Sequence, residues 1–293
     1  MTKQEQIEKK AGMEVYLLGT SGPEYSIERF GPSTLLVING KHFLFDAGRG
    51  ATQRIFETGI PLGAVTKIFF THLDCDHLDG LANLWLGPWL MLLRKTGLEM
   101  WGPTGTKHMA NGMREMFRKD LTSRPNSQLK LSNLDMQVTE FTEEGIIYDD
   151  GEVTITAFPV EHGPGNPAFG FRIDYANHSV VLSGDTTYHK NVIKYSKDCD
   201  LLVHSITYMS PERVSENKLV ESAVIKKQTT PEQAADVLNE AKPRLAVFSH
   251  ISKSGLADEE IINMVRKAGY SGPLEMGHDK MKIEVGEDVS ISK

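Results

Sequence analysis

Short apolar runs, each closed by glycine, asparagine or a charged residue, recur along the chain and predict buried β-strands. In the first half they read MEVYLLG, STLLVING, KHFLFDAG and TKIFFTH. Helical periodicity takes over from Ala51 to Thr58 and again from Gly105 through Arg118. The second half opens with DGEVTITAFPV, AFGFRIDYA and HSVVLSGD and continues with CDLLVHS. A helix is then predicted from Thr230-Pro231-Glu232, where a capping threonine and a first-turn proline and glutamate suit the unpaired N–H groups of a helix start. RLAVFSH, a helix from Asp258 to Ala268 and KMKIEV close the chain. Two β-rich halves, each followed by helices, predict an α/β fold with two sheets face to face and helices outside.

No low-complexity or Gly/Ser-rich linker divides the sequence. The expected organisation is therefore a polar N-terminal segment, 1–12, and one domain, 13–293, with halves at about 13–150 and 151–293. A chain of 293 residues buries a core without disulfides or structural metal, so any metal would serve chemistry. Only Cys75 and Cys199 occur, which is compatible with a reducing compartment. No signal-like or membrane-spanning run is present, and the expected location is cytoplasmic. The formal net charge of -7 argues against broad phosphate neutralisation, so nucleic acid is an unlikely partner on this reading and a small-molecule substrate is expected. A homodimer is left open.

The polar residues of most interest sit where apolar strands end: His72 after KIFFT, His162 after TAFPVE, Asp185 after VVLSG and His250 after LAVFS. Side chains at sheet ends are held by the core, which is the preorganisation a metal site requires. The stretch THLDCDHLDG adds Asp74, Asp76, His77 and Asp79 to His72. Three carboxylates beside two imidazoles would repel one another without a cation. His42, His108, His178, His189 and His278 lack converging partners and read as ordinary surface or core histidines.

The tracts YLLGTSGP, FLFDAGRGATQR, FFTHLDCDHLDGL, MWGPTGT, VEHG, LSGDT, DLLVHS and VFSH, in this order and spacing, resemble the metallo-β-lactamase-fold hydrolases, in particular the ribonuclease Z-like and arylsulfatase-like branch. RFGPSTLLV, GIPLG, PAFGFRIDYA and SVVLSGDT look closest to small-molecule hydrolases of the chlorothalonil hydrolytic dehalogenase type. The resemblance implies a four-layer αβ/βα sandwich of two mixed β-sheets. It also implies two divalent metal ions, the first held by His72, Asp74, His162 and Asp185 and the second by Asp76, His77, Asp185 and His250, with Asp185 bridging. Asp46 in FDAG would support the ligand loop from behind, and Asp76 and His204 would take part in catalysis. A hydroxide shared by the two ions would be the nucleophile.

Three positions depart from the family pattern. His204-Ser205-Ile206-Thr207 stands where ribonuclease Z relatives have His-Glu-Ala-Thr, so His204 lacks an acidic partner and should be a weaker proton donor. Gln228-Thr229-Thr230 replaces a run that often begins with histidine, which removes a second ionisable group. Asp74 replaces the second histidine of His-x-His-x-Asp-His. A third carboxylate lowers the Lewis acidity of the first metal and offers a harder donor. Zinc is the favoured ion, and Asp74 makes manganese or iron more competitive.

Trp85 and Trp89, four apart in LANLWLGPWLMLL, share a face if the segment is helical; they suit either core packing or an apolar substrate wall, to which Tyr188 and Tyr208 could add. The expected function is a dinuclear metal-dependent hydrolase acting on a small aromatic or apolar, ester-like substrate. The alternatives are a ribonuclease Z-like phosphodiesterase that processes tRNA 3′ ends and a non-catalytic binding protein on the same fold. The tRNA reading is disfavoured at this stage because GPEYSIERFGP replaces the expected basic motif after the first strand, no Gly/Pro-rich arm is visible and the chain is acidic.

Overall fold

A computed structural model describes residues 12–163, 167–216 and 227–292. The polar N-terminal segment, apart from its last residue, lies outside the described residues. Two sheets form the centre of the molecule. The first has the strand order β15-β14-β1-β2-β3-β4-β5-β6. It is built from β1 (Met13–Gly19), β2 (Ser33–Ile38), β3 (Lys41–Phe45), β4 (Lys67–Phe69), β5 (Leu98–Pro103), β6 (Met136–Phe141), β14 (Met281–Val285) and β15 (Val289–Ser292). The second has the order β13-β12-β11-β10-β9-β8-β7. Its strands are β7 (Gly145–Asp149), β8 (Val153–Val160), β9 (Ala168–Tyr175), β10 (His178–Leu182), β11 (Leu201–Thr207), β12 (Leu245–Ser252) and β13 (Leu274–Met276). Both sheets are mixed: β3 to β6 and β10 to β13 pair in parallel, the remaining neighbours antiparallel.

Three buried clusters explain the layering. Between the sheets, Val15, Leu36, Phe43 and Phe69 from the first meet Ile155, Phe171, Val180 and Val247 from the second. The outer face of the first sheet packs on helices α1 (Ala51–Glu57), α2 (Leu81–Leu90) and α3 (Thr106–Met116), through Ile68, Leu84, Trp85 and Met113 among others. A short α4 (Arg118–Ser123) continues α3. On the far side, α5 (Lys190–Ser196), α7 (Pro231–Ala241) and α8 (Asp258–Lys267) cover the second sheet through Val192, Leu238 and Ile261; α6 (Pro211–Glu216) lies between α5 and α7 in the chain. The arrangement is the expected four-layer αβ/βα sandwich. Strands whose two faces are both covered carry continuous apolar runs, which is why their sequences were legible.

The halves interlock. β7 already belongs to the second sheet, and β14 and β15 return to the first, where Val15 pairs with Ile283. The helix expected at Thr230 begins there: the Thr230 hydroxyl accepts from the Gln233 N–H while the Gln233 side chain accepts from the Thr230 N–H, a reciprocal cap. The apolar runs do not include β5, β6, β7, β13 or β15. Four of these five are edge strands, and β6 and β7 expose alternate residues, so no apolar run marks them.

Between the sheets Phe69 stacks on Trp101, with centroids 4.6 Å apart and planes 8° from parallel, and on Phe45 at 5.1 Å. Phe69 is the last residue of β4 and thus sets the level at which the histidine- and aspartate-rich loop leaves the sheet. Phe69→Ala is expected to cost about 3 to 5 kcal/mol of stability, read as a lower urea midpoint with an unchanged slope.

Candidate metal centre

Each candidate ligand is placed by a local backbone device. β4 ends at Phe69, and the chain then turns through Thr71 and His72 into a single 3₁₀ turn at Cys75–His77. Asp46 holds this loop. Its Oδ1 accepts the Thr71 N–H at 2.9 Å, and its Oδ2 accepts the Thr71 hydroxyl at 2.8 Å and lies 2.8 Å from His77 Nδ1. Thr71 Oγ1 also lies 2.9 Å from His72 Nδ1. With both Nδ1 atoms engaged, the Nε2 atoms of His72 and His77 face the centre, buried and without a hydrogen-bond partner. A buried imidazole nitrogen left unpaired is costly, and a cation is the partner it fits.

His162 follows β8 and is oriented by the Lys227 carbonyl, 2.9 Å from its Nδ1. Asp185 follows β10 through Gly184, whose φ of +61° and close approach to the Phe169 carbonyl leave no room for a Cβ. His250 was expected at a strand end, but β12 runs on to Ser252. His250 is instead the extra residue of a β-bulge: Ser205 pairs with Ser249 and Ile206 with Ile251, and His250 adopts φ +48°. The bulge re-aims the ring out of the sheet.

One oxygen gathers the site. Asp185 Oδ2 lies 2.9 Å from His250 Nε2, 3.5 Å from His77 Nε2 and 3.9 Å from His162 Nε2. Donor atoms of His72, His162 and Asp185 fall within 4.8 Å of one another, as do those of Asp76, His77 and His250. Asp76 Oδ2 is 3.3 Å from His250 Nε2. Asp74 is half-exposed, with Oδ2 3.3 Å from His162 Nε2 and 3.6 Å from His72 Nε2, so its shorter side chain does reach this group.

The electrostatics follow from the crowding. Burial opposes charge on Asp185, yet His250 and His77 hold its carboxyl well below the usual range. Burial also opposes charge on His250, but Asp185 and Asp76 prevail and push it up to about 9. His77 rises in the same way against its burial, through Asp185 and Asp46. His162 likewise rises despite burial, helped by Asp74, whereas burial and neighbouring His77 lower His72. His162 and His72 hold the Asp74 carboxyl below its ordinary value. Asp76 is lowered too, His250 outweighing burial. A divalent ion held by these nitrogens would have to compete with protons for them.

Two spaces flank Asp185 and His250. The outer cleft is lined by Glu24, Asp74, Asp76, His162, Lys227 and Gln228, among others. The inner space, of about 50 Å³, is lined by Ser33, Ser183, Ser205 and His204. Both ring nitrogens of His204 lack a partner, and burial pushes it down to about 4, so the imidazole is neutral at pH 7. It lines the inner space together with His77, Asp185 and His250 and is not among the residues that line the outer cleft.

The substrate wall also needs correction. Trp85 and Trp89 are on a helix, α2, but they are core residues, with indole N–H groups donating to the carbonyls of Leu134 and Lys130. Apolar area drives both rings into the sheet–helix layer, away from the metal-facing cleft. Tyr188 donates to Glu240 and, like Tyr208, packs against the helices of the second sheet; neither lines the cleft. His189 caps α5 by accepting from the Asn191 N–H. Sequence reasoning passed over Thr71, Lys227 and the role of Gln228. The Gln228 amide donates to Asp185 Oδ2 at 2.5 Å and is buried. Its position two residues before the α7 cap was visible, but nothing in the sequence brought it to Asp185.

A family profile described as a beta-lactamase superfamily domain matches residues 41–251. The chain belongs to the metallo-β-lactamase superfamily. It is 30% identical over 282 residues to a protein named Ribonuclease Z from Mycobacterium sp. (strain KMS), covering 95% of this chain and 98% of that one. Among solved structures, the metallo-β-lactamase fold protein YhfI from Bacillus subtilis superposes with a TM-score of 0.70 at 16% identity, covering 93% and 99% of the two chains. The short form of human tRNase Z does so with 0.67 at 21% identity, covering 92% and 98%.

These findings overturn two expectations. The superfamily member's relatives carry the name Ribonuclease Z, which backs the alternative reading over a small aromatic ester-like substrate and does not support the likeness to the chlorothalonil hydrolase type. The expectation that nucleic acid is an unlikely partner falls with it. Its physical basis was the net charge, which bears on diffuse phosphate neutralisation and not on recognition at one cationic centre. No helix among the described residues is long and apolar enough to cross a membrane.

If His250 and His77 serve as ligands they would have to lose protons to coordinate, so metal affinity is expected to rise with pH, through about 9 for His250, and to weaken as pH falls, by roughly tenfold per unit for each proton displaced. Chelator competition between pH 6 and pH 9 measures it; a flat profile would remove these imidazoles from the ligand set.

Proposed function

We propose that this protein is a metal-dependent phosphodiesterase of ribonuclease Z type, cleaving RNA at a dinuclear centre. The observation that carries the reading is the full-length relation to proteins named Ribonuclease Z. The convergence of imidazoles and carboxylates on Asp185 Oδ2 supports it. In this reading His72, Asp74, His162 and Asp185 hold one ion, and Asp76, His77, Asp185 and His250 hold the other. When bound, two divalent ions supply Lewis acidity and ionise water near neutral pH. Imidazole donors favour zinc, and Asp74 admits manganese or iron.

The chain's own residues do the rest. Asp46 and Thr71 keep the Nε2 atoms of His72 and His77 pointed inward. The Gln228 amide fixes the rotamer of Asp185 and covers it from the cleft side. Asp76, still ionised at neutral pH, accepts a hydrogen bond from the attacking water and orients it. Lys227, the cation among the described lining residues, is available to a non-bridging phosphate oxygen. Neutral His204 is assigned a supporting place behind Asp185 and His250 rather than a proton-transfer step.

Incubation of the metal-loaded protein with a tRNA precursor bearing a 3′ extension tests the reading. Cleavage should stop on chelation and fall by several orders of magnitude in Asp185→Ala, while His189→Ala, on a helix cap, changes little. A fully loaded protein that leaves the precursor and other RNAs intact would refute it. Elemental analysis is expected to give two ions per chain in the wild type and one in Asp74→Ala; two ions in that variant, with unchanged affinity, would remove Asp74 from the ligands.

A further inference from the structure

Beyond the C-terminal end of α2 lies an unexplained charge. Arg94 is 2% exposed. One guanidinium nitrogen, Nη2, donates to the Trp85 carbonyl, while Nε and Nη1 are buried without a partner. Among the described residues no carboxylate pairs with it. Burial pushes the group down only to about 10, and a guanidinium stays protonated in proteins, so the charge persists at neutral pH. A buried cation with no counter-charge is costly unless something anionic joins it.

The surroundings point to what that is. Arg94 lines a cleft of about 450 Å³ with Trp89, Leu92, Lys95, Gln128, Lys130 and Asn133. Three cations and two amides face one space, and no carboxylate lines it, on a chain whose net charge is -7. Lys95, Gln128 and Lys130 are exposed, so they can close on a ligand from the solvent side. The guanidinium fork matches the oxygens of a phosphate, with lysines adding point charge and amides adding donors. We propose that this cleft binds a phosphate oxyanion against Arg94, at a site separate from the metal centre. A site of that charge takes a dianion better than a carboxylate, and its volume leaves room for the group that carries the phosphate.

Free phosphate and an RNA backbone present the same chemistry. Helix α2 starts just past the ligand loop, and Arg94 lies four residues beyond its last residue, Leu90. Only the RNA source rests on the function proposed above.

Isothermal titration of the metal-loaded protein with inorganic phosphate at fixed ionic strength is the test. Wild type should show a phosphate-binding event that Arg94→Met weakens at least tenfold and the Lys95→Ala/Lys130→Ala double variant at least threefold, with metal content unchanged. The double variant changes only exposed side chains, so it carries the test if Arg94→Met does not fold. The same variants are then titrated with a short RNA. Loss of both ligands supports the site with an RNA backbone as its source, and loss of phosphate alone supports it with free phosphate as the source. Wild-type phosphate binding in the variants overturns the site. RNA cleavage is not read in this experiment, so the catalytic reading stands or falls separately.

Discussion

The metal-facing cleft depends on one carboxylate that never reaches its centre. Asp46, with φ +57° at the end of β3, takes the Thr71 N–H and hydroxyl and one nitrogen of His77. Its own N–H donates to the Phe69 carbonyl at 2.8 Å, tying it to the strand that delivers the loop. A left-handed backbone is tolerated by aspartate better than by most residues, and it lets one side chain face three partners. Two imidazole rings thereby lose their freedom before any ligand arrives, and the cost of ordering them is borne by the fold.

Asp185 is the second constraint, and it is of opposite character. Three imidazoles and an amide crowd one oxygen, in a place where water cannot screen them. Such a group of charges is tolerable only with the right count of positive partners, whether protons or ions. The shifts at His77, His250 and Asp185 express that requirement. Both halves contribute to that group: His77 comes from the first, and His162, His250 and Gln228 from the second. The interlocked sheets, with β14 beside β1, keep the two sets in register.

The residues that misled are as instructive as those that did not. Trp85 and Trp89 follow the ligand loop closely, and proximity in sequence suggested a wall of the cleft. The α2 helix turns them into the layer between helix and sheet, where each ring buries its area and still finds a carbonyl for its N–H. His204 was assigned to catalysis from its motif. Its strand, β11, is buried along its whole length, and the ring opens onto the inner space instead. Net charge misled in another way, because a sum over the whole chain does not show that Arg94, Lys95 and Lys130 gather around one cleft.

The sequence by itself determined the αβ/βα plan, because interior strands covered on both faces must be apolar throughout and announce themselves. It also singled out the candidate ligands that the fold brings together, since carboxylates crowded into one loop repel one another, and polar groups at the ends of apolar runs lose their water, unless a cation joins them. Edge strands such as β6 and β7 escaped, because half of each faces solvent and no run forms. Only the tertiary structure decided which donors converge on Asp185, that His250 sits on a bulge, that Gln228 clamps the carboxylate from 43 residues away, and that Arg94 is buried with two of its three guanidinium nitrogens unpartnered. Hydrophobic pattern is a local property, written along the chain. Convergence, orientation and unmet charge depend on contacts between segments far apart, and no stretch of sequence carries them alone.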